Sequence, residues 1–133
     1  MMPIVFINCK TQPFVRQILN RTKIYETRNR NILKRFLGER ILIAETGTGS
    51  KPVVKGSAII SEIIEVFSRD AWEVTRLDAM IGIGTQYDWK PDTKKKVLYR
   101  LTDVRPCEPF VPDEDRRHGR VWMEYNGTDF LLD

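Results

Sequence analysis

The sequence has 133 residues, the length of one domain, and 41% of them are hydrophobic and 30% charged. This composition excludes a disordered or fibrous protein, and no window holds the roughly 18 apolar residues that a membrane-spanning helix requires. The formal net charge is +4, and the first nine residues lack the charged start of a signal peptide. We therefore expect one cytoplasmic domain over residues 1–133, with no membrane partner.

The first third of the chain is predicted to contain two strands around a short helix. Pro3–Asn8 is a short apolar, β-rich run and predicts the first strand. A proline suited to a helix start then precedes an apolar stripe, which predicts an amphipathic helix over Phe14–Asn20. Lys23–Arg28 is predicted as the next strand. Asn31–Leu37 is predicted as a helical turn that the following glycine ends.

The middle of the chain is predicted to contain the two clearest strands and a helix. Arg40–Glu45 is an apolar strand, and a turn-rich segment follows it. Val53–Phe67 is a long β-branched run with a glycine inside it, which indicates a strand that bends or bulges. Ala71–Met80 is predicted as a helix, capped by Ser68 or Asp70.

The last third begins with an irregular, aromatic segment, Gly82–Pro91. Lys96–Val104 alternates apolar and polar residues and predicts another strand. Three prolines between residues 106 and 112 are expected to break regular structure. Val121–Tyr125 and Phe130–Leu132 are predicted to form a final strand pairing or a packed tail.

This order of elements predicts an α+β domain. Strands at this density, with two or three short helices and no repeating βαβ pattern, favour a mixed, partly closed β-barrel over a doubly wound sheet. The predicted core covers about residues 4–110. Residues 111–133 form a C-terminal extension to which the sequence assigns no role.

The positive charge is concentrated in one segment. Arg16–Arg40 contains eight basic and two acidic residues, a net charge of +6, whereas the remainder has fourteen basic and sixteen acidic residues. A clustered positive field attracts polyanions and speeds their encounter, which indicates a polyanionic partner such as RNA. The alternative is a solvated basic face without a partner.

The candidate site lies in the segment Arg21–Arg28. Lys23 and Glu26 are three apart, so on one regular strand they would lie on opposite faces, and they converge only if Lys23 belongs to the turn before the strand. Glu26 and Arg28 are two apart and share a face. A carboxylate beside two cations can orient an arginine or accept a hydrogen bond from a base or hydroxyl. The alternative is a surface ion pair on a half-exposed strand.

The segment FVRQILNRTKIYETR resembles the signature segment of the ASCH domain family. In that family a short helix is followed by the pattern Gly-x-Lys-x-x-Glu-x-Arg. Lys23, Glu26 and Arg28 match the pattern, whereas Arg21 stands where the family usually has Gly. Similarity of a more generic kind extends over most of the predicted core.

ASCH domains resemble PUA domains, a β-barrel superfamily tied to RNA modification and binding. The resemblance therefore implies a PUA-like barrel with a cleft between barrel and helices. Lys23 and Arg28 would contact a phosphate or a flipped base at the mouth of the cleft, and Glu26 would anchor them. The expected partner is RNA or a modified nucleoside. The expected nucleic-acid-binding residues are Arg21, Lys23, Tyr25, Glu26, Arg28 and Arg30.

Two alternatives to RNA binding stay open. Some members of the family deacetylate acetylated cytidine and others are ribonucleases; if this chain is an enzyme, Lys23 and Glu26 are its expected catalytic residues. The deacetylating members carry Thr at the position of Glu26 and take a carboxylate base from the helix after the long strand. Glu73 and Asp78 are the candidates for that base. The other alternative is an interaction module whose basic segment docks an acidic partner.

A second, weaker signal lies late in the chain. Tyr87, Trp89 and the run Lys94–Lys96 place aromatic residues next to cations, a combination that suits single-stranded nucleic acid. Trp89 plugging the end of the barrel is an equal alternative, whereas Trp72 is expected in the core. Cys9 and Cys107 lie far apart with no zinc-ligand spacing, so we expect no metal and no cofactor.

Overall fold

The structure is a computed structural model that describes residues 2–113, 117–118, 121–125 and 127. Its strands form one mixed sheet of order β2-β5-β4-β3-β1-β7-β6, in which β1 and β3 pair in parallel and the other neighbours pair antiparallel. In chain order the elements are β1 (Met2–Asn8), α1 (Phe14–Leu19), β2 (Tyr25–Arg28), a 3-10 helix (Lys34–Phe36), β3 (Arg40–Thr46), β4 (Val53–Val66), α2 (Arg69–Thr75), β5 (Lys96–Phe110), β6 (Arg117–His118) and β7 (Trp122–Tyr125).

The helix α1 begins at Phe14 as predicted, and α2 has the predicted cap but begins at Arg69, two residues before the predicted Ala71. In α1 the apolar stripe of Phe14, Val15 and Ile18 is buried against the sheet. In α2 the Ser68 hydroxyl accepts a hydrogen bond of 3.1 Å from the Ala71 amide, which makes Ser68 the N-cap.

The predicted extent of α2 is wrong in its second half, because the helix ends at Thr75 rather than Met80. The amides of Ala79 and Met80 donate to carbonyls only three residues back, so the chain tightens into turns. Met80 then has a positive φ of 59°, a left-handed conformation that no α-helix continues.

The longest strands, β4 and β5, depart from regular pairing at three register shifts. The bend that Gly56 predicts is confirmed, because one shift lies between Val54 and Gly56. The prediction that prolines end β5 near Val104 is wrong, since the strand continues to Phe110. Pro106 lies opposite Gly56 at that irregularity, where an interrupted ladder tolerates a residue without an N–H.

The central strands are buried on both faces. Along β1, Val5 and Ile7 pack into the main core beneath α1, whereas Ile4 and Phe6 pack into a second cluster on the opposite face. This explains the continuous apolar runs of β1 and β3, which show no polar alternation. Trp72 of α2 is fully buried in the main core, as predicted. No helix in the described part of the chain is long and apolar enough to cross a membrane.

The sheet is open. In the described ranges no strand pairing joins β2 to β6 or β7 at the opposite edge, so the partly closed barrel stays a prediction. A side chain makes the one link relevant to the site, because the Arg28 guanidinium of β2 donates a 2.8 Å hydrogen bond to the Phe6 carbonyl of β1. The strand predicted near Val121–Tyr125 is confirmed by its pairing with β1, and Phe130–Leu132 lies outside the described residues.

Candidate functional site

The turn between α1 and β2, together with β2 itself, brings together Lys23, Glu26 and Arg28. The strand begins at Tyr25, so Lys23 lies in the turn before it, and this is the arrangement in which Lys23 and Glu26 converge. The Lys23 Nζ lies 3.9 Å from Glu26 Oε1, and Arg28 Nη2 lies 3.4 Å from Glu26 Oε2. One carboxylate thus lies between two cations.

Lys23 is among the most deeply buried side chains of the molecule, with 1% of its surface exposed. Its ammonium donates a 2.5 Å hydrogen bond to the Ala79 carbonyl and lies 4.3 Å from the centre of the Phe14 ring. Burial lowers the pKa of Lys23 from 10.5 to about 8; the charge of Glu26 opposes this shift, and that of Arg28 adds to it.

Glu26 is also buried, with 6% exposed. Besides the two cations, the Thr27 amide donates a 2.9 Å hydrogen bond to Oε1. Arg28 donates one N–H to the Phe6 carbonyl, and this hydrogen bond between β2 and β1 fixes the orientation of its guanidinium group. The carboxylate and the guanidinium are therefore held in place before any ligand arrives.

A cavity of about 240 Å³ opens beside this pair. Glu26 and Arg28 line one part of it, and the aromatic rings of Phe14 and Tyr87 line another. The two rings meet edge to face, with their centres 5.2 Å apart. Lys96 adds a further cation to the lining. The cavity thus joins a carboxylate, two cations and aromatic surface.

The irregular segment that carries Tyr87 is tied to the core by hydrogen bonds. Lys96 donates a 2.9 Å hydrogen bond to the Tyr87 carbonyl, and the next residue, Asp88, accepts bonds of 2.7 Å from Trp72 Nε1 and 2.8 Å from the Gly84 amide. Burial alone would raise the pKa of Asp88, but these bonds outweigh it and lower the pKa to about 2. Burial lowers the pKa of Lys96.

Four of the six predicted binding residues are not in the described lining of this cavity: Arg21, Lys23, Tyr25 and Arg30. Arg21 lies in a separate pocket and has a positive φ of 68°. That conformation suits Gly, so the turn keeps its geometry although Arg replaces the usual residue. Tyr25 is half-buried against the main core, and the exposed Arg30 uses its carbonyl to accept a bond from Tyr99. These residues stay predicted nucleic-acid-binding residues that lie outside this cavity.

The two carboxylates considered as bases do not line the cavity either. Glu73 is paired with Arg76 at 2.7 Å on α2. Asp78 lies at an exposed turn, where its backbone carbonyl accepts hydrogen bonds from the Ile24 and Tyr25 amides. The structure thus leaves Glu26 as the carboxylate of this cavity.

Sequence reasoning missed Phe14 as a site residue, because its place on an apolar helix stripe indicates core alone. It found Tyr87 and Lys96 only as a weak pairing of aromatic residues with cations. Trp89, the third member of that signal, is half-buried against the main core and does not line the cavity. In the described ranges no group of three or more His, Cys, Asp or Glu side chains could hold a metal ion.

The mixed sheet and the two short helices form an ASCH-like fold. The structure is similar to the crystal structure of ASCH from Zymomonas mobilis, with a TM-score of 0.67 and 23% identity over 82% of this chain and 72% of that chain. A serine-to-alanine variant of that protein gives the same values, and a tyrosine-to-phenylalanine variant gives a TM-score of 0.66. No protein-family model and no curated protein matches the sequence.

Proposed function

We propose that the protein binds RNA or a modified nucleotide, with one base in the cavity beside Glu26 and Arg28. The observation that carries this function is the fixed pair of the buried Glu26 carboxylate and the half-buried Arg28 guanidinium, which lines a cavity of about 240 Å³ together with two aromatic rings. Since an apolar cavity of about 150 Å³ accommodates benzene, this one is large enough for a heterocyclic base.

Each lining group has a role that suits a splayed-out base. Glu26 can accept hydrogen bonds from an exocyclic amino group or a ring N–H, and Arg28 can donate to a base carbonyl or a phosphate. Phe14 and Tyr87 offer ring surface against which a base packs. This proposal includes the predicted partly closed, PUA-like barrel. Its ligand would lie beside the hydrogen bond from Arg28 of β2 to the Phe6 carbonyl of β1.

Hydrolysis of an acetylated cytidine-type nucleoside is the second candidate function. It is favoured by the pKa of Lys23, since a lysine with a pKa of about 8 can exchange protons near neutral pH. It ranks second because Lys23 is buried and its Nζ bonds to the Ala79 carbonyl, whereas the cavity is lined by Glu26.

Affinities for a panel of modified nucleosides and short unpaired RNAs test RNA binding. Tyr87→Ala removes the half-buried ring of the cavity and is expected to weaken binding about 5- to 160-fold, the range for one lost base–aromatic contact. Phe67→Ala removes an exposed aromatic ring outside the cavity and should bind like wild type. Equal affinities of the wild type and Tyr87→Ala for every ligand that binds would contradict a base in this cavity.

Acetate release from acetylated cytidine tests the second candidate. Turnover by the wild type, lost in Lys23→Ala, would make hydrolysis the function of the site around Lys23 and Glu26. Absence of product after long incubation at high enzyme concentration would exclude that substrate while leaving base binding in place.

A further inference from the structure

A second concave surface, which we call the arginine pocket, lies apart from the cavity. It has a volume of about 460 Å³, and Arg21 and Arg100 line it together with Lys23, Thr102 and Asp103. It shares no lining residue with the cavity. The Lys23–Glu26 pair joins the two, because Lys23 lines the arginine pocket and Glu26 lines the cavity.

The charges of the arginine pocket are unbalanced. Its one carboxylate, Asp103, is bonded to Arg40 and to Arg105, the latter at 2.9 Å, so its charge is already neutralised. In the described part of the chain neither Arg21 nor Arg100 pairs with a carboxylate within 4.0 Å. Two guanidinium groups therefore line a concave surface with no carboxylate of the described residues paired to them.

Arg21 has most of its donors available. Among the described residues, the one hydrogen bond of its side chain is a long contact of 3.4 Å from Nη2 to the Val104 carbonyl, and the residue is exposed. A guanidinium carries five N–H donors in a fixed fork that matches the oxygens of a phosphate group. The Thr102 hydroxyl in the same lining is a further donor for such a ligand.

The backbone around the arginine pocket is held in disfavoured conformations. Arg21 has a φ of 68° and Asp103 a φ of 47°, and both are residues for which the left-handed region costs free energy that glycine would not incur. Met80, at 59°, follows the residue whose carbonyl binds Lys23. Such conformations persist where the surroundings impose them, and they concentrate at ligand sites.

We propose that the arginine pocket binds a phosphate group through the guanidinium groups of Arg21 and Arg100. This site is separate from the base cavity and does not rest on the function proposed for it. A phosphate bound there also lies beside the pocket wall to which Lys23 belongs, and an anion near a buried ammonium favours its protonated form. Phosphate bound in the arginine pocket is therefore expected to favour the charged form of Lys23 and its ion pair with Glu26.

Calorimetric titration with inorganic phosphate tests the site. Arg21→Gly removes the guanidinium and also suits the left-handed backbone, so the variant is expected to fold, and Arg100→Ala removes the second group. Both are expected to weaken phosphate binding at least tenfold. Arg69→Ala, which removes an exposed arginine at the start of α2, should bind phosphate like wild type. Wild-type affinity in Arg21→Gly and Arg100→Ala, or no binding to the wild type, would overturn the proposal.

The Cε resonance of Lys23 gives a second measurement by NMR. Saturating phosphate is expected to move its titration midpoint upward from about 8, and the shift should vanish in Arg100→Ala. Among the other charged groups that act on Lys23, Glu26, Arg28 and Cys9 are unchanged in this variant. An unmoved midpoint at saturation would place the phosphate elsewhere. Tyr87→Ala should leave phosphate binding intact, so failure of the base cavity is distinguishable from failure of the arginine pocket.

Discussion

At the scale of single residues, the buried ammonium of Lys23 dominates the chemistry of the site. Transfer of a charged group out of water is costly, and the hydrogen bond to Ala79 and the charge of Glu26 offset that cost only in part. The result is a lysine poised between its charged and neutral forms near pH 8.

This burial makes a prediction about stability at alkaline pH. Between pH 8 and 10.5 the unfolded chain retains a proton on Lys23 that the folded chain has lost, so the free energy of unfolding contributed by this group rises with pH. Below pH 8 both states are protonated and the penalty is constant. Relative to Lys23→Met, wild type should gain up to about 3 kcal/mol across this window.

Urea unfolding of both proteins at intervals from pH 7 to 11 measures the effect. The other titrating groups are common to the two chains, so they cancel in the difference between the two free energies. A difference that stays constant across the window would mean that Lys23 titrates at its ordinary pKa.

At the scale of elements, the irregularity between β4 and β5 lets α1 pack closely on the sheet. Gly56 lies at the register shift, where a Cβ atom would come within 2.5 Å of the Leu19 side chain and 2.8 Å of the Arg105 carbonyl. The backbones of β4 and β5 and the end of α1 therefore approach one another at a distance that only glycine allows. Leu19 ends the helix from which the chain turns toward Lys23.

Gly56→Ala is accordingly expected to lower the free energy of unfolding by about 1–3 kcal/mol, because the carbonyl contact is rigid and the strand must shift. Gly49→Ala is the matched control: its added methyl group would meet no atom within 4 Å, and the change should stay within about 0.5 kcal/mol. Thermal and urea unfolding of the two variants give the comparison. Equal free energies of unfolding for the two variants would show that β4 shifts to accommodate the methyl group without loss of stability.

At the scale of the whole molecule, Arg28 connects two distant parts of the open sheet. It lies on the edge strand β2, four strands away from β1 in the sheet order, yet its guanidinium bonds the Phe6 carbonyl. The same group contacts the buried Glu26. Arg28 thus secures both the edge of the sheet and the carboxylate of the cavity.

Arg28→Ala is expected to lower the free energy of unfolding by about 2–4 kcal/mol, since the buried Glu26 carboxylate loses one of its two cations and the Phe6 carbonyl loses a charged hydrogen bond. Amide hydrogen exchange in β2 should accelerate more than in β3. Arg30→Ala, two residues away and exposed, should leave both measurements unchanged. Wild-type exchange in β2 of Arg28→Ala would mean that pairing with β5 alone holds the strand.

The sequence by itself determined most of the elements and the signature of the site. Apolar runs and alternation located most of the strands and the start of α1, because burial on one or both faces leaves a local pattern, whereas β6 was not predicted. The spacing of Lys23, Glu26 and Arg28 indicated a shared site, on the condition that the strand begins after Lys23. Prediction from the sequence failed where strand pairing overrides local propensity, as at Pro106 within β5.

Only the tertiary structure decided what the site is made of. Tyr87 and Lys96 line the same cavity as Glu26 although they lie far along the chain, and no local pattern encodes the proximity of residues so widely separated. The burial of Lys23 depends on the Ala79 carbonyl, which is available because α2 ends early. Arg21 lies within the signature yet lines a different pocket, since a left-handed residue turns the chain there. Periodicity reports which side of an element is buried, whereas the packing of distant segments determines what that side meets.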